Sequence, residues 1–495
     1  MVNPKLKEIE KNWLLQASID EIQKKMDDNE VSARELVFIY LDRIARIDQS
    51  GPALNSVIEV NPDALHIANV LDLERANGKV RGPLHGIPVL LKDNIDTKDK
   101  LHTSAGSLAL AEHFAKEDAF LVKQLREAGA IILGKTNMSE WAYFMSTENM
   151  PSGYSSRGGQ VLNPYGPGKF DVGGSSSGSG AAIAAHLATV AVGTETSGSI
   201  LSPSSQNSLV GIKPTVGLIS RHGVIPISHT QDTAGPMARY VKDAVYLLVA
   251  MMGKDEQDVV TKSNPLSATS LLKALESPTL AGTRIGVARD PFFTQLTDEK
   301  NAILLQALET LKGGGAEVVD EVLIPSEKEK WTIDVLLYEF KANLNAYLQG
   351  ISPNLPVHKL TDVIRFNQED AKRRLKYGQS LLVKSDETSG TLTEVDYLNA
   401  LQFDHYHSTE NGIDAALAKD DLDILVFPNN LGAAIPAKAG YPSITVPAGY
   451  TEEGEPVGMT FTGKAFSEAK LIEAAAAFEK QTNVRKNPLF YDIMK

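Results

Sequence analysis

Three segments of this 495-residue chain hold residue types whose spacing could do chemistry. They are Lys92 closing PVLLK, the run GGSSSGSG at 173–180, and GTETSGSIL at 193–201. A lysine that ends an apolar strand usually keeps its ammonium in water. If it is buried instead, lost solvation lowers its pKa and leaves a neutral amine that can act as a base. GGSSSGSG has the composition of a flexible linker, yet it runs straight into the apolar AAIAAHLAT, where a linker has no reason to stop. A tight loop feeding a helix there would present backbone N–H groups to whatever lies above it. A phosphate cradle is disfavoured, because no Gly-Lys-Ser/Thr ending follows. In GTETSGSIL, small residues let the backbone fold around a reacting atom. Thr196, Ser197, Gly198 and Ser199 would then offer successive N–H donors to a developing oxyanion.

Elements must hold these segments together. PVLL at 88–91 follows the turn signal GPLHG and reads as a buried strand ending at Lys92. A helix is expected over 119–128, stopped by Gly129, then a strand over 130–133, an Ala-rich helix over 181–189 and a strand over 190–192. Loop, helix, strand and loop in that order bring both serine-bearing loops to one sheet edge. Further strands are expected at Arg284–Ala288, Ala316–Leu323, Asp423–Phe427, Ser443–Val446 and Val457–Phe461. This alternation predicts an α/β fold: one α/β/α domain around a mixed, mainly parallel sheet flanked by helices. Two capping boxes, Ser18 with Glu21 and Ser32 with Glu35, open the N-terminal helices. The expected division is helices over 1–75 packed on a catalytic domain over 76–495, with a largely helical insertion at about 327–415.

Other serines and histidines compete. GSSSG at 174–178 fits the G-x-S-x-G elbow, which would promote Ser176, but the preceding YGPGKFDV is too polar and too rich in Gly and Pro for the strand an elbow needs. Ser270 and Lys273 match S-x-x-K inside an ordinary amphipathic helix. His405 and His407 could chelate a metal as alternate strand residues, though no acidic or histidine cluster nearby in sequence completes a site. The expectation is therefore no metal and no cofactor. The chain has no Cys, which removes disulfides and thiolate chemistry, and its net charge of −13 disfavours direct nucleic-acid binding. No stretch reaches the length of a membrane span. The expected location is cytoplasmic, unless a signal peptide has been trimmed.

The run from GPLHGIPVLLKDNID through GGSSSGSG and GTETSGSI to VGIKPTVGLISRHGV and HTQDTAGPMAR resembles the amidase signature family over about residues 82–240. Weaker likeness extends to the N-terminal helices and to AGYPSITVPAGY at 439–450. The resemblance implies a Ser–cis-Ser–Lys triad, with Lys92 as base, Ser175 as bridge after a cis Gly174–Ser175 bond and Ser199 as nucleophile. Twenty-four residues separate the two serines, which fits the family's spacing. It also implies oxyanion N–H groups at 196–199 and hydrolysis of a carboxylic amide to acid plus ammonia or amine, through an acyl-enzyme. The substrate would be a small-molecule or peptide amide, with a homodimer left open. Two positions depart from the family: Ser197-Gly198 stands where Gly-Gly is common, and Leu201 where an Arg is common. The loss of that Arg counts against a glutamine substrate, and the SSSGSG and HTQDTAGPMAR variants resemble the peptide-amidase branch. Two alternatives stay open: an A-type amidotransferase subunit that works with partner chains, and a non-catalytic binding protein on the same fold.

Overall fold

The computed structural model describes residues 1–488. Its frame is one eleven-stranded sheet. In chain order the strands are β1 (Val57–Val60), β2 (Pro88–Lys92), β3 (Ile131–Thr136), β4 (Val190–Glu195), β5 (Val210–Lys213) and β6 (Thr233–Ala238), then β7 (Arg284–Val287), β8 (Glu317–Val319), β9 (Ile424–Pro428), β10 (Ser443–Tyr450) and β11 (Pro456–Thr462). They lie side by side as β1-β3-β2-β4-β6-β5-β10-β11-β9-β7-β8. The central strands are buried along their whole length, which only helices on both faces permit, and this is why PVLL, IILG and VAVG read as continuous apolar runs.

The sheet is mixed, and its parallel pairings fall in two blocks. One is β3-β2-β4 and the other is β9-β7-β8. Between the blocks every pairing is antiparallel, as is the edge pairing of β1 with β3. The expected parallel bias thus holds in the blocks and gives way between them. There β10 and β11 are joined by a short turn, a connection that only antiparallel neighbours can use.

Three strands of this sheet escaped the sequence. β1 lies inside the N-terminal segment expected to be helical and is only four residues long. β5 and β6 sit within VGIKP and DTAGPMAR, whose Gly and Pro argue locally against strands, yet burial on the sheet overrides that preference. Both N-terminal capping boxes form, at the starts of α1 (Ile19–Asp27) and α2 (Ala33–Arg43). The expected helix at 119–128 is α3 (Phe120–Glu127).

The serine-rich run is partly helical. Helix α4 (Ser177–Ala184) begins four residues before the predicted start, and every residue of it is buried. The close approach explains the composition: a Cβ on Gly178 would stand 2.3 Å from the carbonyl oxygens of Asn137 and Ser56. Small residues let the helix lie directly against the sheet, and that packing outweighs the poor helix propensity of Ser and Gly.

Helix α5 (Leu201–Gln206) follows β4. Helices α6 (Asp334–Gly350) and α7 (Val395–Ser408) bracket the helical stretch in the C-terminal half. Phe340 and Leu344 of α6 pack with Trp141, Phe144, Ile225 and Ile227 in an apolar cluster separate from the main core. Among the described residues no helix is long and apolar enough to cross a membrane.

Candidate active site

Parallel pairing of β2 with β4, in the register Leu91 to Val192, sets the end of β2 beside the end of β4. Side chains alternate along β2, so Lys92 and Asp93 leave on opposite faces. Asp93 accepts from Gly106 N–H and Ser104 and faces Arg157, so its charge is answered away from Lys92.

Lys92 is wholly buried. Its Nζ stands 2.8 Å from Ser175 Oγ, 2.8 Å from Thr194 Oγ1 and 3.2 Å from the Thr194 carbonyl oxygen. Among the described residues no carboxylate contacts it. Burial pushes the amine down to about 7, against an opposing pull from the charges of Glu195 and Asp232.

Ser175 is also wholly buried and follows a cis peptide bond at Gly174–Ser175. Its carbonyl accepts from Ser139 N–H at 3.1 Å, while the next residue, Ser176, donates its N–H to the Ser199 carbonyl at 3.2 Å. The two serine loops are therefore stitched together one residue from Ser175. Ser199 is 7% exposed. With Gly174 it lines a cleft of about 420 Å³ whose wall includes Phe144, Ile227 and Leu336 of α6.

The loop from Thr196 to Ser199 is held from behind by Glu195, a buried residue that sequence reasoning passed over. Its carboxylate accepts from Gly198 N–H (2.7 Å), Ile200 N–H (2.7 Å) and Leu201 N–H (3.0 Å), capping the start of α5 with an anion. One of the four expected oxyanion donors is corrected by this contact. The Gly198 N–H points at Glu195, because φ of +79° turns that peptide inward. Such a φ also favours glycine at this position. The N–H groups of Thr196, Ser197 and Ser199 have no acceptor among the described residues.

Asp232 is a second missed residue. It accepts from Thr196 Oγ1 at 2.5 Å and from the N–H groups of Ile227 and Ser228, and burial raises its carboxyl to about 6. Both acids lie inside motifs quoted for the family resemblance. The signal for them was an acidic residue in an apolar or small-residue stretch, which must find donors once buried.

The competing residues have other duties. Ser176 is fully buried and exchanges hydrogen bonds with the backbone of Thr194, so it cannot meet a substrate. Ser270 sits at the third position of a capping box with Ser267. His405 and His407 lie on α7, not on a strand, and two positions apart on a helix they diverge. No group of three or more potential metal ligands occurs among the described residues. Leu201 is buried at the first turn of α5 and offers the cleft no cation.

Comparison with known proteins agrees with this frame. The chain is 42% identical over 491 residues to a probable amidase of Arabidopsis thaliana, covering 96% of this chain and 92% of that one. It is 33% identical to the A subunit of the glutamyl-tRNA(Gln) amidotransferase of Prochlorococcus marinus, covering 95% and 98%. The solved peptide amidase of Stenotrophomonas maltophilia superposes with a TM-score of 0.90 at 44% identity, covering 96% and 99%. The amidase family profile matches residues 35–472, and the chain belongs to the amidase family.

Proposed function

We propose that this protein hydrolyses a carboxylic amide through an acyl-enzyme on Ser199, with Ser175 as proton bridge and Lys92 as base. The observation that carries the reading is the hydrogen-bond set of Lys92. A neutral amine has two N–H bonds and one lone pair. The two oxygens of Thr194 accept the N–H bonds, which leaves the lone pair for the hydroxyl hydrogen of Ser175. A base set up in this way takes the Ser175 proton as Ser175 takes that of Ser199, and Ser199 Oγ attacks the carbonyl carbon. The N–H groups of Thr196, Ser197 and Ser199 are the free donors for the oxyanion. As the tetrahedral intermediate collapses, the C–N bond breaks and the proton returns through Ser175 to the leaving nitrogen. Water then adds to the ester by the same relay and releases the acid.

Peptide amides come first as substrates, since the structural neighbour named a peptide amidase aligns along nearly the whole chain. An A-type amidotransferase subunit remains the second reading, favoured by relatives of that name at 33% identity. Leu201, where the family resemblance puts an Arg, counts against it. The deciding experiment is fluorophosphonate labelling of the isolated chain, with mass mapping of the adduct, followed by a panel of peptide, aryl and alkyl amides. An adduct on Ser199 and amide turnover without partner chains support the hydrolase. Labelling elsewhere would remove the relay, and turnover only with added partners would favour the amidotransferase.

A further inference from the structure

We propose that the cleft over Ser199 selects amides whose acyl side carries a cationic group, and that Asp171 receives that cation. The inference rests on the reading of Ser199 as nucleophile and names the substrate class for that site.

Asp171 lines the same cleft as Ser199 and is the only acidic or basic residue of that lining among the described residues. It is exposed, in the loop that leads into Gly173 and Gly174. One carboxylate oxygen accepts the Gly173 N–H at 2.8 Å. The other lies 3.5 Å from Ser152 Oγ, at the outer limit of a hydrogen bond, so it has capacity to spare.

Several other acids of the chain differ in that their charges are already answered. Asp93 and Glu59 face Arg157, Asp99 and Asp118 share Arg126, and Asp258 holds Arg221. Asp171 has no such cation among the described residues. Lys169, two positions before it, is engaged by Glu453 at 3.0 Å. Below the cleft lie the buried Glu195 and the partly buried Asp232. The lysines buried near them, Lys92 and Lys213, are pushed by burial down to about 7 and about 8, so they offset that negative potential only in part near neutral pH, and Arg221, the cation that acts on Asp232, is shared with Asp258. An anionic substrate would meet an unfavourable field here, and a cationic one a favourable field.

The rest of the cleft suits a cation on a hydrocarbon stem. Phe144, Ile227 and Leu336 give an apolar wall beside the carboxylate. A long aliphatic chain can lie along such a wall while its ammonium or guanidinium head stays at the wet rim. A turn-forming role alone would be met equally well by an asparagine, whose side-chain oxygen could still accept the Gly173 N–H. That makes Asp171→Asn a charge test that leaves the loop intact.

The experiment compares Nα-acetyl-lysine amide, Nα-acetyl-norleucine amide and Nα-acetyl-glutamate α-amide on the wild type and on Asp171→Asn. Each compound is read by kcat/KM and, in parallel, by its protection of Ser199 from a fluorophosphonate, so one that binds without turnover still reports. The wild type is expected to favour the lysine amide over the norleucine amide about three- to five-fold, the size of a solvent-exposed ion pair. Raised salt should compress the ratio. In Asp171→Asn the ratio should fall to about one and the glutamate amide should gain. A lysine-to-norleucine ratio that is the same in both proteins overturns the assignment of Asp171 while leaving the hydrolase reading standing. Failure of the wild type to label at Ser199 overturns both.

Discussion

Lys92 Nζ and Ser175 Oγ stand 2.8 Å apart with both side chains wholly out of water. Because Asp93 leaves β2 on the other face to meet Arg157, no carboxylate among the described residues contacts the lysine, and only the more distant charges of Glu195 and Asp232 favour its charged form. Under the proposed relay the pair works as a weak acid against an uncharged base, and its behaviour with pH follows from that reading.

Activity should rise with pH through about 7 and level off above it, since the proposed relay needs Lys92 neutral and burial brings its pKa to about 7. Lys92→Arg should lower kcat by about 10³-fold, because a guanidinium cannot give up its proton. The check is a pH–rate profile of the wild type beside the variant. An Arg variant with substantial turnover would make Lys92 a structural cation.

The serines should rank in a fixed order. Ser199→Ala should abolish fluorophosphonate labelling and lower kcat by about 10⁴-fold or more. Ser175→Ala should be severe while Ser199 stays in place. Ser176→Ala should keep most activity and lose stability, since it removes only the bonds to Thr194. Labelling and thermal melts of the three variants check this. A dead but stable Ser176→Ala beside an active Ser199→Ala would reverse the assignment.

Glu195→Ala should cost about 3 kcal/mol or more, because three buried N–H groups lose a charged acceptor together. Glu195→Gln keeps one acceptor oxygen. It should fold more stably than the Ala variant yet lower kcat more than it changes KM, since the loop it steadies carries the proposed oxyanion donors. Denaturant melts and steady-state kinetics on both variants separate the two effects. Unchanged kcat in a folded Glu195→Gln would rule out a positioning role.

Glu140 offers a test of linkage away from the chemistry. It is wholly buried, and its carboxyl is pushed up to about 7 from an ordinary 4.5, with hydrogen bonds from Ser156 pulling the other way. Between those two values the folded state holds a proton that the unfolded state has lost. Stability from this group therefore falls as pH rises from about 4.5 to 7. Glu140→Gln removes that dependence, so the variant should gain on the wild type by about 2–3 kcal/mol across the window. Melting temperatures at pH 5 and 7.5 measure it. A difference between the two proteins that did not change with pH would refute the linkage.

Local physics made much of this protein readable from its sequence. Apolar runs closed by turn residues marked β2, β3 and β4, and Ser-x-x-Glu at 18–21 and 32–35 marked two helix starts. Each depends on contacts within a few residues. The three segments that converge on the site stood out because Lys92, Ser175 and Ser199 sit among residue types that simple packing does not require. The tertiary structure decided the rest. β5 and β6 formed against their Gly and Pro content because the sheet buries them, and α4 began early because Ser56 and Asn137 leave room only for glycine. Gly198 N–H turned away from the cleft to Glu195, because a buried carboxylate must collect its donors wherever the chain folds them. The sequence determined which groups could react. Only the folded chain decided which were dry, which were paired and which were left free, since solvation and hydrogen bonding are settled by neighbours distant in sequence.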